Sequence, residues 1–137
     1  MKKTLLLFAV GLFLISCESS VPEILDTKQV INLVVEENQW IEKKDFDNIN
    51  RYYSSSFKMP EIGSQVYNKG VVIAYLDNYD YQLILPNVRH YENLQGVRWT
   101  ETIDYEYSNG SITFFVTSSD FFENPPAKMY FRVVLMW

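Results

Sequence analysis

Asn109-Gly110 constrains this fold more than any other part of the chain. It sits between two alternating runs, Ile103-Asp104-Tyr105-Glu106-Tyr107 and Ile112-Thr113-Phe114-Phe115-Val116. Glycine takes a positive φ without a Cβ penalty, so Asn-Gly favours the type I′ turn, whose twist suits two antiparallel strands. A two-residue loop pairs Ser108 with Ser111, Tyr107 with Ile112, Tyr105 with Phe114 and Ile103 with Val116. The large side chains then share one face. Thr102, Asp104, Glu106, Thr113 and Phe115 occupy the other. A slip of one residue would turn the whole apolar set into water, so pattern and turn enforce the same register.

The rest of the chain follows the same period. Val30 to Val35 is short and β-branched, Val71 to Leu76 is apolar on both faces as in a central strand, and Tyr81 to Leu85 follows the turn-like Asp77-Asn78-Tyr79-Asp80. Met129 to Trp137 alternates to its last residue, which predicts a C-terminus built into a sheet. Trp40 to Phe57 holds one or two more strands, with Ile49 to Tyr53 the better candidate. The helical candidate is Pro60 to Lys69, where Pro60 suits a first helical position, Ile62 and Val66 are four apart, and Gly70 fits the exit. Six to eight strands with one short helix predict an all-β fold. The expected architecture is an antiparallel β-sandwich, immunoglobulin-like or similar, with a closed barrel as the alternative.

A different signal precedes the domain. Lys2 and Lys3 are followed by the apolar stretch Leu5 to Ile15 and then by the only cysteine, in Leu14-Ile15-Ser16-Cys17. Eleven helical residues span ~16 Å, about half a bilayer's hydrocarbon core, so this is a secretory h-region and too short for a membrane span. The tetrapeptide resembles a lipobox. The resemblance implies that the Cys17 thiol takes a diacylglycerol and that cleavage follows Ser16. Residues 1–16 are then a lipoprotein signal peptide, 17–27 a lipidated N-terminus and tether, and 28–137 the sandwich domain. Two or three acyl chains, at ~0.8 kcal/mol per buried methylene, make a durable anchor.

Removing residues 1–16 takes away two lysines and no acid, moving the side-chain charge from −5 to −7. That balance excludes a phosphate-backbone binder, which needs clustered Lys and Arg, so no nucleic acid is expected as a partner. With Cys17 lipidated, no disulfide forms in the mature chain. His90 is the single histidine, which removes His-pair metal sites. It is expected in a loop after Pro86 rather than as a catalytic base. Phosphate loops, dinucleotide fingerprints and nucleophile elbows are absent from the sequence, and no cofactor is implied. Asp45-Phe46-Asp47-Asn48 and Asp77-Asn78-Tyr79-Asp80 offer oxygens, but turn chemistry explains both, and no metal site is expected.

Carboxylates are the remaining route to catalysis. Asp104 and Glu106 belong to the polar face. Glu101 shares a face with Trp99 and Ile103, so it is either a partly buried acid with a raised pKa or a residue at a strand's end; the second is preferred. No residue is assigned as catalytic. Aromatics are the compositional excess, at ten Tyr, nine Phe and three Trp. Tyr79, Phe121 and Phe122 fall outside the alternating core and are the candidate ligand-contact rings, since planar side chains stack on sugars or anchor protein interfaces.

Trp40, the short helix, Gly70-Val71-Val72-Ile73-Ala74-Tyr75, Leu85-Pro86, the Tyr-rich hairpin and the closing Phe131-Arg132-Val133-Val134 together resemble a group of small uncharacterised lipoproteins of Bacteroidota. The resemblance covers most of the mature chain. It implies an all-β domain on the cell envelope, anchored to the membrane through lipid on Cys17, and transfers no functional residue beyond that cysteine. The outer membrane is the expected destination, with the periplasmic or surface face open. Three functions remain compatible. They are a non-catalytic, lipid-anchored binding or adaptor module for a glycan or an envelope protein, a structural lipoprotein acting through sheet-edge or subunit assembly, and a carboxylate-dependent hydrolase, ranked last.

Overall fold

A computed structural model describes residues 27–120 and 124–137. Cys17, the leader and most of the tether lie outside the described residues, as do Phe121 and Phe122. The elements run β1 (Lys28–Val35), a 3-10 turn (Glu37–Gln39), β2 (Ile41–Lys44), β3 (Arg51–Lys58), α1 (Ser64–Lys69), β4 (Val71–Asp77), β5 (Gln82–Ile84), β6 (Asn87–Glu92), β7 (Arg98–Ser108), β8 (Ser111–Ser118) and β9 (Met129–Met136). They form two antiparallel sheets, β1-β9-β4-β5 and β2-β3-β8-β7-β6. The protein is an all-β sandwich.

The Asn109-Gly110 hairpin has the register its sequence dictates, from Ser108 opposite Ser111 to Ile103 opposite Val116, with Gly110 at φ +89°. The alternating last segment becomes β9, an interior strand between β1 and β4. Thr27 and Trp137 exchange both backbone hydrogen bonds at 3.1 Å, so the pairing runs one residue past β1 and β9.

Inward columns of the two sheets make the core. Phe131, Val133 and Leu135 of β9, with Val72 and Ala74 of β4, meet Ile112, Phe114 and Val116 of β8 and Ile103 of β7; all are buried. The Phe114 and Phe131 rings lie 3.9 Å apart at 15° and join the sheets at mid-height. Each of these buried side chains except Ala74 contributes about 1.5–3 kcal/mol. Ser55, opposite Phe114 on β3, is also buried; its small side chain leaves room where a larger one would crowd the ring.

Three expectations need correcting. The helix is shorter than Pro60–Lys69 because Met59 to Ile62 is tied to the hairpin: Met59 N–H donates to Gly110 O at 2.8 Å and Gly110 N–H to Ile62 O at 2.8 Å. Helix therefore starts only after Gly63. The Ile49–Tyr53 candidate becomes the longer β3, which carries Ser54, Ser55 and Ser56 despite their poor strand propensity because β8 pairs with all three. Asn87–Glu92, expected as a loop around His90, is the edge strand β6, and it helps bring the count to nine strands among the described residues.

Candidate functional site

The two ends of the sandwich are finished differently. At the hairpin end, Ile62 of the preceding turn and Val66 of α1 are buried and plug the gap between the sheets, and Asn109 Nδ2 donates to Ser64 Oγ at 3.1 Å. At the other end the sheets part. There β3 and β7 begin, β8 ends, β9 begins at Met129, and the Asn78–Tyr81 turn closes β4 onto β5. Trp40 fixes one corner, its indole N–H donating to Ala127 O at 3.3 Å and its ring meeting Phe131 edge-on at 6.4 Å.

Two adjoining cavities open between the sheets at this end, of about 490 and 390 Å³, and both are lined by Glu101, Ala127 and Met129. The larger has Tyr53, Val116 and Trp99 as apolar lining and Arg51, Asn93 and Asp120 among its polar groups. The smaller is lined by Leu76, Ile103 and Tyr130, with Arg89, Tyr91 and Lys128 as its polar part. Alternation explains the membership. On β7 the inward column is Trp99, Glu101, Ile103, and on β6 it is Asn87, Arg89, Tyr91, paired with Ile103, Glu101 and Trp99 respectively.

Glu101 is the shared wall. It lies three residues inside β7, so it is the partly buried acid rather than the strand-end residue preferred from sequence. Burial raises its carboxyl above the ordinary glutamate range and Asp120 adds to the effect, while a hydrogen bond from Tyr91 and the charge of Arg89 oppose it. The Tyr91 hydroxyl donates to Glu101 Oε1 at a long 3.4 Å. Tyr91 in turn stacks on Trp99 at 5.3 Å and 17°, so one ring of the stack lines each cavity. Burial and the Glu101 charge push the Tyr91 hydroxyl up. Arg89 lies over the Tyr81 ring at 5.5 Å, and its guanidinium and the Asn78 amide hold the Tyr81 hydroxyl below the usual tyrosine range. Lys128 Nζ pairs with Glu36 Oε1 at 2.7 Å and lies 5.4 Å from the Tyr130 ring centre.

The sequence-derived candidates separate on this frame. Tyr79 is a wall of the smaller cavity, exposed, in the left-handed region at φ +53°, with its ring against Tyr130 at 5.4 Å. Asp104 and Glu106 point to the outer face, away from Glu101, so the carboxylate cluster of β7 is split by the sheet. Burial, with the Glu106 charge second, raises the Asp104 carboxyl there. His90 is also on the outer face, its Nδ1 at 2.9 Å from Thr100 Oγ1. Asp45 forms a turn: it accepts from Ile49 N–H at 3.1 Å and from the Asn50 side chain, and these bonds outweigh desolvation to hold its carboxyl low. Among the described residues no three His, Cys, Asp or Glu come together as a metal site.

Arg89 and Tyr91 are site residues that sequence reasoning missed. Asn87-Val88-Arg89-His90-Tyr91 is mainly polar on both faces, so period-two hydrophobicity gives no strand signal there. Comparison of the chain with protein-family models, curated proteins and solved structures finds no match in any of the three.

Proposed function

We propose that the protein is a lipid-anchored, non-catalytic binding module of the bacterial cell envelope, with its ligand held in the open-end cleft. Support for the anchor is the n-region, the short apolar stretch and the lipobox-like Leu14-Ile15-Ser16-Cys17. The single observation that carries the binding reading is the pair of cavities meeting at Glu101 and Met129, with Trp99 and Tyr91 lining one each. An apolar floor with a few convergent polar groups is the usual make-up of a small-ligand site. A glycan fits this chemistry best. Its ring faces stack on the aromatic walls, its hydroxyls donate to Glu101 and Asp120, and the open shape admits a chain of sugars.

The test is a glycan array probed with wild type, Trp99→Ala, Glu101→Gln and Tyr79→Ala. Losses of tenfold or more are expected for the first two variants, about 1.4 kcal/mol, and a smaller loss for Tyr79→Ala at the rim. Binding left intact by all three sinks the cleft as the site. Hydrolysis is a second reading, favoured because Glu101 and Asp120 line one cavity, as a carboxylate pair must to cleave a glycosidic bond. Mass spectrometry of a bound oligosaccharide after prolonged incubation decides it, since an uncleaved ligand removes catalysis.

A further inference from the structure

The four sheet edges are protected very unequally. β5 is only three residues long; β2 has four, including Glu42, Lys43 and Lys44; β6 carries Arg89, His90 and Glu92. Short strands and charged side chains are the usual means of keeping an edge from pairing with another chain. β1 has neither. It is eight residues long, Val30 to Val35 contains no charge and no proline, and its register against β9 runs unbroken without a bulge.

Backbone parity shows which groups β1 leaves open. Because Thr27 and Trp137 exchange both bonds, the alternate residues Gln29, Ile31, Leu33 and Val35 also face β9. Lys28, Val30, Asn32 and Val34 therefore turn their N–H and C=O groups to the free side. Among the described residues nothing pairs with that side. The side chains of the same four residues lie on the outer face, and Val30 and Val34 stay 41% and 37% exposed.

We propose that β1 is a self-pairing edge: two copies of this chain join antiparallel along it, about a two-fold axis at Asn32. A two-fold interface must be self-complementary, and this strand is so at three positions. Val30 faces the partner's Val34, Asn32 faces the partner's Asn32, and Lys28 comes beside the partner's Glu36, an opposite charge that Lys28 would share with the Lys128 already paired to it. Each of these residues on β1 has the parity that puts its backbone groups between the strands. Val30, Asn32 and Val34 on both copies then form the ladder. It stops before Glu36, whose N–H is already held by Gln39 Oε1 at 2.8 Å and whose C=O accepts from Gln39 N–H at 2.9 Å. The two four-stranded sheets become one of eight. This association is independent of any ligand in the cleft. A single strand edge is a small interface, so the dimer forms and dissociates with concentration.

The experiment is sedimentation velocity on the full chain in a mild detergent from roughly 5 to 500 µM, with backbone amide exchange at both ends of the range. Wild type is expected to pass from monomer to dimer. Exchange at Val30, Asn32 and Val34 should slow at least tenfold with concentration, while Ile31 and Leu33 stay protected throughout. Asn32→Pro removes an N–H that β9 does not use, so it should weaken the dimer at least tenfold while leaving the sandwich folded. Val34→Lys does the same without proline, by adding a charge at the seam. A monomer across the whole range, unchanged dimer affinity in both variants, or exchange at the three amides that ignores concentration would each overturn the proposal.

Discussion

Phe114 and Phe131 test the sandwich most directly, because they come from different sheets and their contact exists only if those sheets face each other as described. The rings lie 3.9 Å apart at 15°, both residues are fully buried, and each has a further edge contact, Phe57 at 6.2 Å for Phe114 and Trp40 at 6.4 Å for Phe131. Leucine is the useful replacement. Alanine at either site would cost about 3–5 kcal/mol, enough to unfold a domain whose total stability is about 5–15 kcal/mol. Leucine keeps most of the volume and loses the ring, so Phe114→Leu and Phe131→Leu should each cost about 1–2 kcal/mol. Once one ring is gone, the other has lost its stacking partner. The double variant should therefore be less destabilised than the two singles together, by about 0.5–1.5 kcal/mol. Urea unfolding of the four proteins reads this as shifts in midpoint with a constant slope. Additivity within about 0.3 kcal/mol would mean that the rings do not touch, and the sheet packing described above would be wrong.

Gly70→Ala should cost about 1–3 kcal/mol, towards the upper end, because the new Cβ would lie 2.6 Å from Met136 O and 2.8 Å from Val66 O, both backbone atoms. Gly96→Ala meets nothing within 4 Å and pays only for φ +77°, about 1–2 kcal/mol; thermal melts that rank the two the other way refute the geometry. Glu101→Gln should stabilise the protein at neutral pH. The native carboxyl titrates above its unfolded value because burial disfavours its charge, so wild type loses stability as pH rises through the native pKa, and Gln does not. Melting curves from about pH 4 to 8 should converge in acid and separate above it, and wild type gaining on the variant as pH rises would contradict the burial. Intact-mass measurement of protein from its native host should find Cys17 as a diacylglyceryl-modified N-terminus, and a bare thiol or another start ends the lipoprotein reading.

What could be read from the chain was whatever local chemistry dictates. Asn109-Gly110 fixes a turn, the turn fixes a register, and the register agrees with alternation on both flanks. β4 and β9 were legible as apolar or alternating runs. Failures came where distant partners decide. The Pro60 to Gly63 stretch satisfies helix rules, yet Met59 N–H and Ile62 O on either side of its start bond to Gly110, about fifty residues on, and helix yields to that contact. β6 has no apolar face to announce it and is a strand because β7 offers it six consecutive partners. Alternation puts Glu101 on an inward column, but its depth depends on β7 starting at Arg98, which alternation does not give. The cleft itself joins residues from β3, β4, β6, β7, β8 and β9, and no single-sequence spacing encodes that meeting.

One asymmetry ties the site to the fold. Along the inward column of β7, Ile103 is buried and Tyr105 sends its hydroxyl across to Val72 O at 2.8 Å, so the column is complementary to the opposite sheet until it reaches Glu101. A carboxylate at that point is a poor choice for stability. Burial raises its pKa, and the nearest donor, Tyr91, sits at 3.4 Å, too long for a strong bond. Glutamine or threonine would suit the same surroundings without the electrostatic penalty. Natural sequences tend to break their own local pattern where function requires it. The break here coincides with the place where two cavities meet and where Trp99 and Tyr91 stack. On the binding reading proposed above, a ligand donor would give Glu101 a stronger hydrogen bond than the long one from Tyr91, at the same position where burial disfavours the carboxylate.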